Sequence, residues 1–290
     1  CEVEGFEKMV TVGKDGKKID DTVFDIKVLP DRAHYMLSHR GVAYDLCAIL
    51  NLNFKKLAND LPEIKGNMDI KVETELCSRY FAVEINKIEN IESPQWIKDR
   101  LKAIGSRSIN LIVDISNYVM FDTGQPLHAF DKDKIKGKIN VRFAKDGEEI
   151  ETLSDQKVKL KNHHIVIADD EGVLAIAGVK GGKKAEVTIN TKNIILESAN
   201  FNPSSVRKTS FEVGIRNDSS KRFENEITPN LVENGISQFL RILKDNSRDC
   251  LVVSVSDNYN KKVIPWNVKV EHKTIESVLG YKIEEKRIVE

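Results

Sequence analysis

The stretch Ile194–Glu224, IILESANFNPSSVRKTSFEVGIRNDSSKRFE, decides how the rest of the chain is read. It opens on an apolar run, Ile194-Ile195-Leu196, that reads as a buried strand ending in a carboxylate, Glu197. Asn202-Pro203 then marks a helix start, with asparagine as the cap and proline in the first turn. Gly214 stops that helix, and an Asn/Ser-rich start at Asn217–Ser220 opens another, with Lys221 and Arg222 behind it. A carboxylate at the end of a buried strand must find a partner or lose its charge. The stretch reads as one wall of a pocket for a polar ligand beside a phosphate backbone. The alternative is a structural ion pair between Glu197 and a neighbouring arginine.

Just upstream, from Ile139 to Leu196, the apolar period is two. Ile139, Val141 and Phe143 alternate, and Ile165–Ala168 and Val173–Ala177 are short strands joined by DDEG, a hairpin signal. AGVKGGKK (Ala177–Lys184) lacks both phosphate-loop spacings, so it reads as a tight turn that lets a ligand approach the backbone. His163 and His164 are adjacent, and on a strand such neighbours face opposite ways, so no metal is expected there. Further upstream, INLIVDISNYVMFDTG is rich in β-branched residues, but its length, a Ser108 cap and the Gly124 stop favour a helix. The turn GQPLHAFD presents His128, which either positions a water or an ester oxygen or simply caps and packs. Ser93-Pro94 starts a helix with Ile97, Leu101 and Ile104 on one face, and Trp96 reads as core. Arg207, Lys208, Arg216, Lys221 and Arg222 form a basic cluster, in itself a weak nucleic-acid signal.

Residues 1–28 contain a turn at Gly13–Gly16 and a strand at Val23–Val28. Ser38 caps a helix bearing Val42, Leu46, Ile49 and Leu50, and the polar FKKLANDLPEIKGNMD is a linker. Downstream, Pro229 starts a long helix, Leu251–Val255 is a strand, and Val268 and Val270 with TIESVLG open another unit. With 290 residues, 40% of them hydrophobic, the chain can bury a real core. Its 45 basic and 45 acidic residues balance, so nucleic-acid binding cannot rest on bulk charge. The four cysteines, Cys1, Cys47, Cys77 and Cys250, form no CxxC pair, which argues against a zinc knuckle or disulfide framework and for a reduced, cytoplasmic setting. No apolar run reaches the ~18 residues of a membrane span. The chain reads as a piece of a longer protein.

Four motifs in order carry a resemblance: RSINLIVDISNYVMFDTGQPLHAFD, AIAGVKGG, ILESANFNPSSVRKTS and GIRNDSSKRFE. Together they resemble the central editing domain of bacterial phenylalanyl-tRNA synthetase beta subunits, and VLPDRAHYMLSHRGVAYDLCAIL resembles the small domain before it. The resemblance implies an α+β fold: a partly open barrel-like mixed sheet with flanking helices, plus small remnants of neighbouring domains. It divides the chain into 1–70 (preceding domain and linker), 71–256 (editing domain) and 257–290 (start of the next domain). It implies hydrolysis of tyrosine wrongly attached to tRNA(Phe), with His128, Glu197 and Asn117 catalytic, Arg107, Gly181, Asn217 and Ser219 binding substrate, and no metal ligand. The parent would be a cytoplasmic alpha-2 beta-2 ligase that charges tRNA(Phe) with ATP and Mg²⁺ in protein biosynthesis, the synthetic site being on the alpha subunit. No DNA or membrane partner is implied. An apolar phenylalanine pocket rejects an isostere with an added hydroxyl by only about 10², which is the physical reason for a second sieve. The chain departs from the family twice. It has Asn217-Asp218-Ser219-Ser220 where Thr-Asp-Ala-Ser is usual, and Arg222-Phe223-Glu224-Asn225-Glu226 where Arg-Tyr/Phe-Glu-Arg-Gly is usual. The rival readings are a scaffold that keeps the fold and tRNA contact with weakened catalysis, and a free-standing editing protein.

Overall fold

Apolar periods of 3.6 and of two residues alternate along the chain and build both helices and strands. The computed structural model describes residues 2–63, 66, 68–259 and 262–289, which divide into two compact units, Cys1–Asn260 and Lys261–Glu290. Cys1, positions 64, 65 and 67 of the expected linker, and Glu290 lie outside the described residues. The first unit opens on a hairpin, β1 (Glu2–Val12) and β2 (Lys18–Lys27), followed by α1 (Ala33–Met36), α2 (His39–Ile49), β3 (Ile70–Val72) and β4 (Cys77–Asn86). Then come α3 (Gln95–Ala103), α4 (Leu111–Thr123), β5 (Leu127–Asp131), β6 (Ile139–Phe143), and a small hairpin of β7 (Glu149–Glu151) and β8 (Lys157–Lys159). The strands β9 (Ile165–Ala168), β10 (Val173–Ile176), β11 (Lys180–Gly181) and β12 (Ile194–Phe201) follow. The unit closes with α5 (Pro203–Glu212), α6 (Asp218–Phe223), α7 (Leu231–Asn246) and β13 (Leu251–Asn258). The second unit carries α8 (His272–Leu279) and α9 (Glu285–Val289), and Val268 and Val270 are not in a strand. Among the described residues no helix is long and apolar enough to cross a membrane.

The α+β class is as expected. The described strands form four sheets, none closed into a barrel: β1-β2, β11-β10-β9-β6-β3, β13-β4-β12-β5 and β7-β8. All pairings are antiparallel except β3 with β6. The central strand β12 shows why two of these sheets face each other. Ile194 and Leu196 join Phe81, Val83 and Ile85 in a core with α3, α4 and α7. Ile195, Ala199 and Phe201 join Tyr80, Ala82 and the five-stranded sheet in a second core. Successive residues of a strand point to opposite faces, so β12 feeds both cores. Each fully buried Ile, Leu or Phe stabilises by about 1.5–3 kcal/mol, and a one-residue slip would exchange the two sets.

Several local expectations shift. The strand does not end at Glu197 but runs to Phe201. Its later polar residues are satisfied: Ser198 donates to the Val232 carbonyl (3.0 Å) and Asn200 to the Ile227 carbonyl (2.6 Å). The cap of α4 is Asn110, which accepts from the Val113 amide at 3.1 Å; Ser108 instead donates to Asp114. Ser38 caps α2 as expected, accepting from the Gly41 amide at 3.0 Å. Leu46, Ile49 and Leu50 on that helix are exposed. Asn202 caps α5 through the Ser205 amide. His163 and His164 sit in a turn before β9, not on a strand. Both rings therefore reach the same oxygen of Glu212, each at 3.0 Å, with Lys161 at 3.1 Å.

Candidate active site

The register of β12 brings the expected residues together. Glu197 is paired with His128 on β5 and with Ala82 on β4. Directly opposed antiparallel residues hold their Cβ atoms about 4.5–5.5 Å apart on one face. That face is the one turned toward the five-stranded sheet, because Glu197 shares the parity of Ile195 and Ala199. Tyr80, paired with Ala199, lies diagonally from Glu197 on the same face, and its hydroxyl donates to Glu197 Oε2 at 3.4 Å. No ion pair to Glu197 exists among the described residues, so the arginine-pair alternative fails.

A cavity of about 420 Å³ opens beside this face. Its lining includes Asn117, His128, Gly181, Glu197, Asn217 and Ser219, so of the expected residues only Arg107 is left out. Arg107 is exposed, next to the lining residue Ser106. The volume lies within the roughly 300–1,000 Å³ of small-molecule sites. A larger cavity of about 870 Å³, between the β1-β2 hairpin and α2, α3 and α4, contains none of these residues.

Burial dominates the electrostatics. Glu197 is 6% exposed, and loss of water pushes its carboxyl up to about 8, with the Tyr80 hydrogen bond pulling the other way. Burial first, and then the positive charge of Lys180, press His128 down to about 4. At neutral pH both groups are therefore mainly uncharged. The His128 ring stacks edge-on against Phe130, ring centroids 4.5 Å apart, and makes no side-chain hydrogen bond among the described residues. Asn117 likewise keeps its amide free of protein partners among them.

Two glycines set the shape of the cavity wall. A Cβ at Gly181 would lie 2.4 Å from His128 Cε1, so only glycine lets this backbone reach the ring. Gly178 turns the chain at φ 69°, and a Cβ there would press on Val206 and Phe223 at 3.0 Å. Asn217 and Ser219 bind this same turn. Asn217 donates to the Val179 carbonyl at 2.6 Å while accepting from the Ser220 amide at 2.9 Å, and Ser220 accepts from the Asn217 amide at 3.0 Å. Ser219 donates to the Gly178 carbonyl at 3.3 Å. Asn217 and Ser220 thus form a capping box at the start of α6, and Asn217 and Ser219 fasten that start to the wall. In the basic cluster, Arg216 is paired with Glu224 and Arg222 is buried on Phe121.

Sequence reasoning missed Tyr80 and Lys180. Tyr80 acts through strand register, which joins positions far apart in the chain. Lys180 was hidden in a glycine-lysine run read as a turn.

The B3/4 domain pattern matches residues 76–247, more than half of the chain. The chain belongs to the B3/4 domain family. A phenylalanine–tRNA ligase beta subunit from Clostridium acetobutylicum is 36% identical over 288 residues, covering 96% of this chain and 36% of its own length. One from Aquifex aeolicus is 44% identical over 248 residues, covering 86% of this chain and 32% of its own. The B3/4 chain thus spans about a third of the length of the curated relatives it matches. A solved N-terminal fragment of the phenylalanyl-tRNA synthetase beta-subunit from Pyrococcus horikoshii aligns with 99% of this chain and 78% of its own, at 16% identity and a TM-score of 0.44. The resemblance read from the four motifs therefore holds: residues 76–247 are a B3/4 domain, and the chain is similar to phenylalanine–tRNA ligase beta subunits over most of its length.

Proposed function

We propose that this B3/4 domain is the editing domain of a phenylalanine–tRNA ligase beta subunit and hydrolyses Tyr-tRNA(Phe) in the 420 Å³ cavity. The observation that carries the reading is the opposition of Glu197 and His128 across β12 and β5, both facing that cavity. In this reading Glu197 hydrogen-bonds the phenolic hydroxyl, and neutral His128 with Asn117 holds the attacking water and the ester. The backbone at Gly181 approaches the ester. Asn217 and Ser219 shape the wall, and Arg107 meets the tRNA end outside the cavity. The four- and five-stranded sheets are the two walls of a partly open barrel-like enclosure. The domain division 1–70, 71–256 and 257–290 belongs to the same proposal. So do an alpha-2 beta-2 assembly, a cytoplasmic setting, and ATP and Mg²⁺ serving amino-acid activation on the other subunit.

A hydroxyl in a largely dry pocket explains the selectivity asked of the site. Phenylalanine would leave the buried carboxyl group with Tyr80 alone, and an unsatisfied buried polar group costs about 1–3 kcal/mol. The test is deacylation of Tyr-tRNA(Phe) and Phe-tRNA(Phe) by the assembled full-length enzyme. Release of tyrosine with sparing of phenylalanine is expected, and equal rates for the two would refute the sieve. A second reading, a scaffold with weakened hydrolysis, draws on the use of Asn217 and Ser219 as fasteners. It predicts tRNA binding without deacylation.

A further inference from the structure

The run VKGGKK (Val179–Lys184) carries three lysines, and the structure treats one of them differently. Lys183 is paired with Glu151 at 3.0 Å and with Asp155. Lys184 is paired with Asp169 at 2.6 Å and Glu171 at 3.6 Å. Lys180 makes no ion pair or hydrogen bond through its side chain among the described residues, although the carboxylates of Glu186 and Asp218 line the same cavity. It is the one cation lining the cavity among those residues. Its backbone is held by pairing with Ile176 and by the Gly178 turn, which has no room for a Cβ. Lys180 is therefore a fixed stem with an uncommitted ammonium group. Its charge reaches the centre of the site, where it helps keep His128 unprotonated.

Lys180 is the one cation lining the cavity among the described residues, and neither Glu186 nor Asp218 engages it there, so its ammonium group is open to an anion brought by a ligand. An acyl-nucleotide end offers one close to its ester: the phosphate on the ribose that carries the amino acid. The free α-amino group of the aminoacyl end is cationic and is repelled by Lys180, which favours the orientation with the phosphate at the ammonium. We propose that Lys180 forms an anion subsite of this cavity and holds the phosphate of the terminal acyl-nucleotide. The inference rests on the hydrolytic reading above for the identity of the nucleotide, not for the presence of the subsite. A lysine binds phosphate as a point charge, so arginine at the same place preserves the attraction and methionine, of similar length, removes it.

The test uses two non-hydrolysable probes, 3′-tyrosylamido-3′-deoxyadenosine with and without a 5′-phosphate, titrated calorimetrically into full-length wild-type protein, Lys180→Met and Lys180→Arg. A hydrogen bond to a charged partner sets the scale, so the phosphorylated probe should bind wild type about ten- to a hundredfold more tightly than the other. Lys180→Met should abolish that preference, and Lys180→Arg should keep most of it. No phosphate preference in wild type, or an equal loss for both probes in Lys180→Met, would overturn the subsite. Deacylation of Tyr-tRNA(Phe) by wild type is measured alongside. If wild type shows a phosphate preference that depends on Lys180 but does not deacylate, the hydrolytic reading falls and the subsite stands. Deacylation with no such preference means the reverse.

Discussion

Glu197→Gln separates the charge of this group from its shape. Burial raises the Glu197 carboxyl from an ordinary 4.5 to about 8. At pH 7 it is mostly protonated, and glutamine, neutral and of equal length, can still accept from Tyr80. An acid whose folded value lies above its unfolded value stabilises fully below the unfolded one, and that contribution is lost as the pH rises through the folded value. Wild type should therefore lose stability against Glu197→Gln between about pH 4.5 and about 8, and the gap should level off above that. The slope is about 1.4 kcal/mol per pH unit, giving a total on the order of 5 kcal/mol. For a chain of this size that corresponds to a Tm difference of order 10 °C. The assay is urea and thermal unfolding of both proteins from about pH 5 to about pH 9. Deacylation by Glu197→Gln at pH 7 should stay within a few-fold of wild type. Glu197→Ala leaves the tyrosyl hydroxyl unpartnered and should lose about ten- to a hundredfold. Parallel stability curves for wild type and Glu197→Gln would refute the reasoning, since they would mean a wet pocket and an ordinary carboxylate.

Three further outcomes follow from the cavity wall and the turn behind it. Gly181→Ala should push His128 from its place and cut deacylation at least about tenfold, with an overpacking cost of about 1–3 kcal/mol read from unfolding. Asn217→Thr with Ser219→Ala keeps a capping oxygen but gives up the bonds to Val179 and Gly178, so deacylation should persist while stability falls by about 1–2 kcal/mol. Glu226, which stands where the family usually has glycine, holds φ 60°, so Glu226→Gly should raise stability by about 0.5–1 kcal/mol with editing unchanged, as thermal unfolding would show.

The fold class, the helix starts at Ser38 and Asn202, and the placing of six of the seven expected site residues along one cavity were legible because each rests on local chemistry or on an ordered motif. Ser38 and Asn202 have short acceptor side chains next to helical sequence, and both cap as read. Glu197 reads as a strand end because it closes the apolar run Ile194–Leu196, yet the strand continues through Ser198 and Asn200. Carbonyls from Val232 and Ile227, more than twenty residues away, satisfy them, and no local pattern announces such partners. The His163-His164 pair failed as an opposite-facing strand pair because the turn before β9 aims both rings at Glu212 on α5. The roles of Asn217 and Ser219 were legible as positions and not as bonds. Only the Gly178-Val179 turn, brought alongside by β10 and β11, reveals that they fasten a wall.

The uncharged state of Glu197 changes how the discrimination would work. A permanent carboxylate buried without a cation would cost several kcal/mol in every state of the enzyme, bound or free. By taking up a proton the group avoids that cost and becomes both a donor and an acceptor. A tyrosyl hydroxyl arriving in the cavity can then meet either oxygen, while Tyr80 already engages Oε2 and keeps the carboxyl group from turning freely. A phenylalanyl ring brings no polar atom, so it would dry the carboxyl group further and leave one of its positions unmatched. Selectivity in that case rests on the cost of the unmatched position more than on the strength of the bond gained. Tyr80→Phe should sharpen the contrast: Glu197 loses the contact that lowers its proton affinity, so its titration moves further up. Any fall in deacylation at high pH that accompanies ionisation of Glu197 should move up with it. A pH profile of Tyr80→Phe that coincides with wild type would show that the Tyr80 contact does not tune the group.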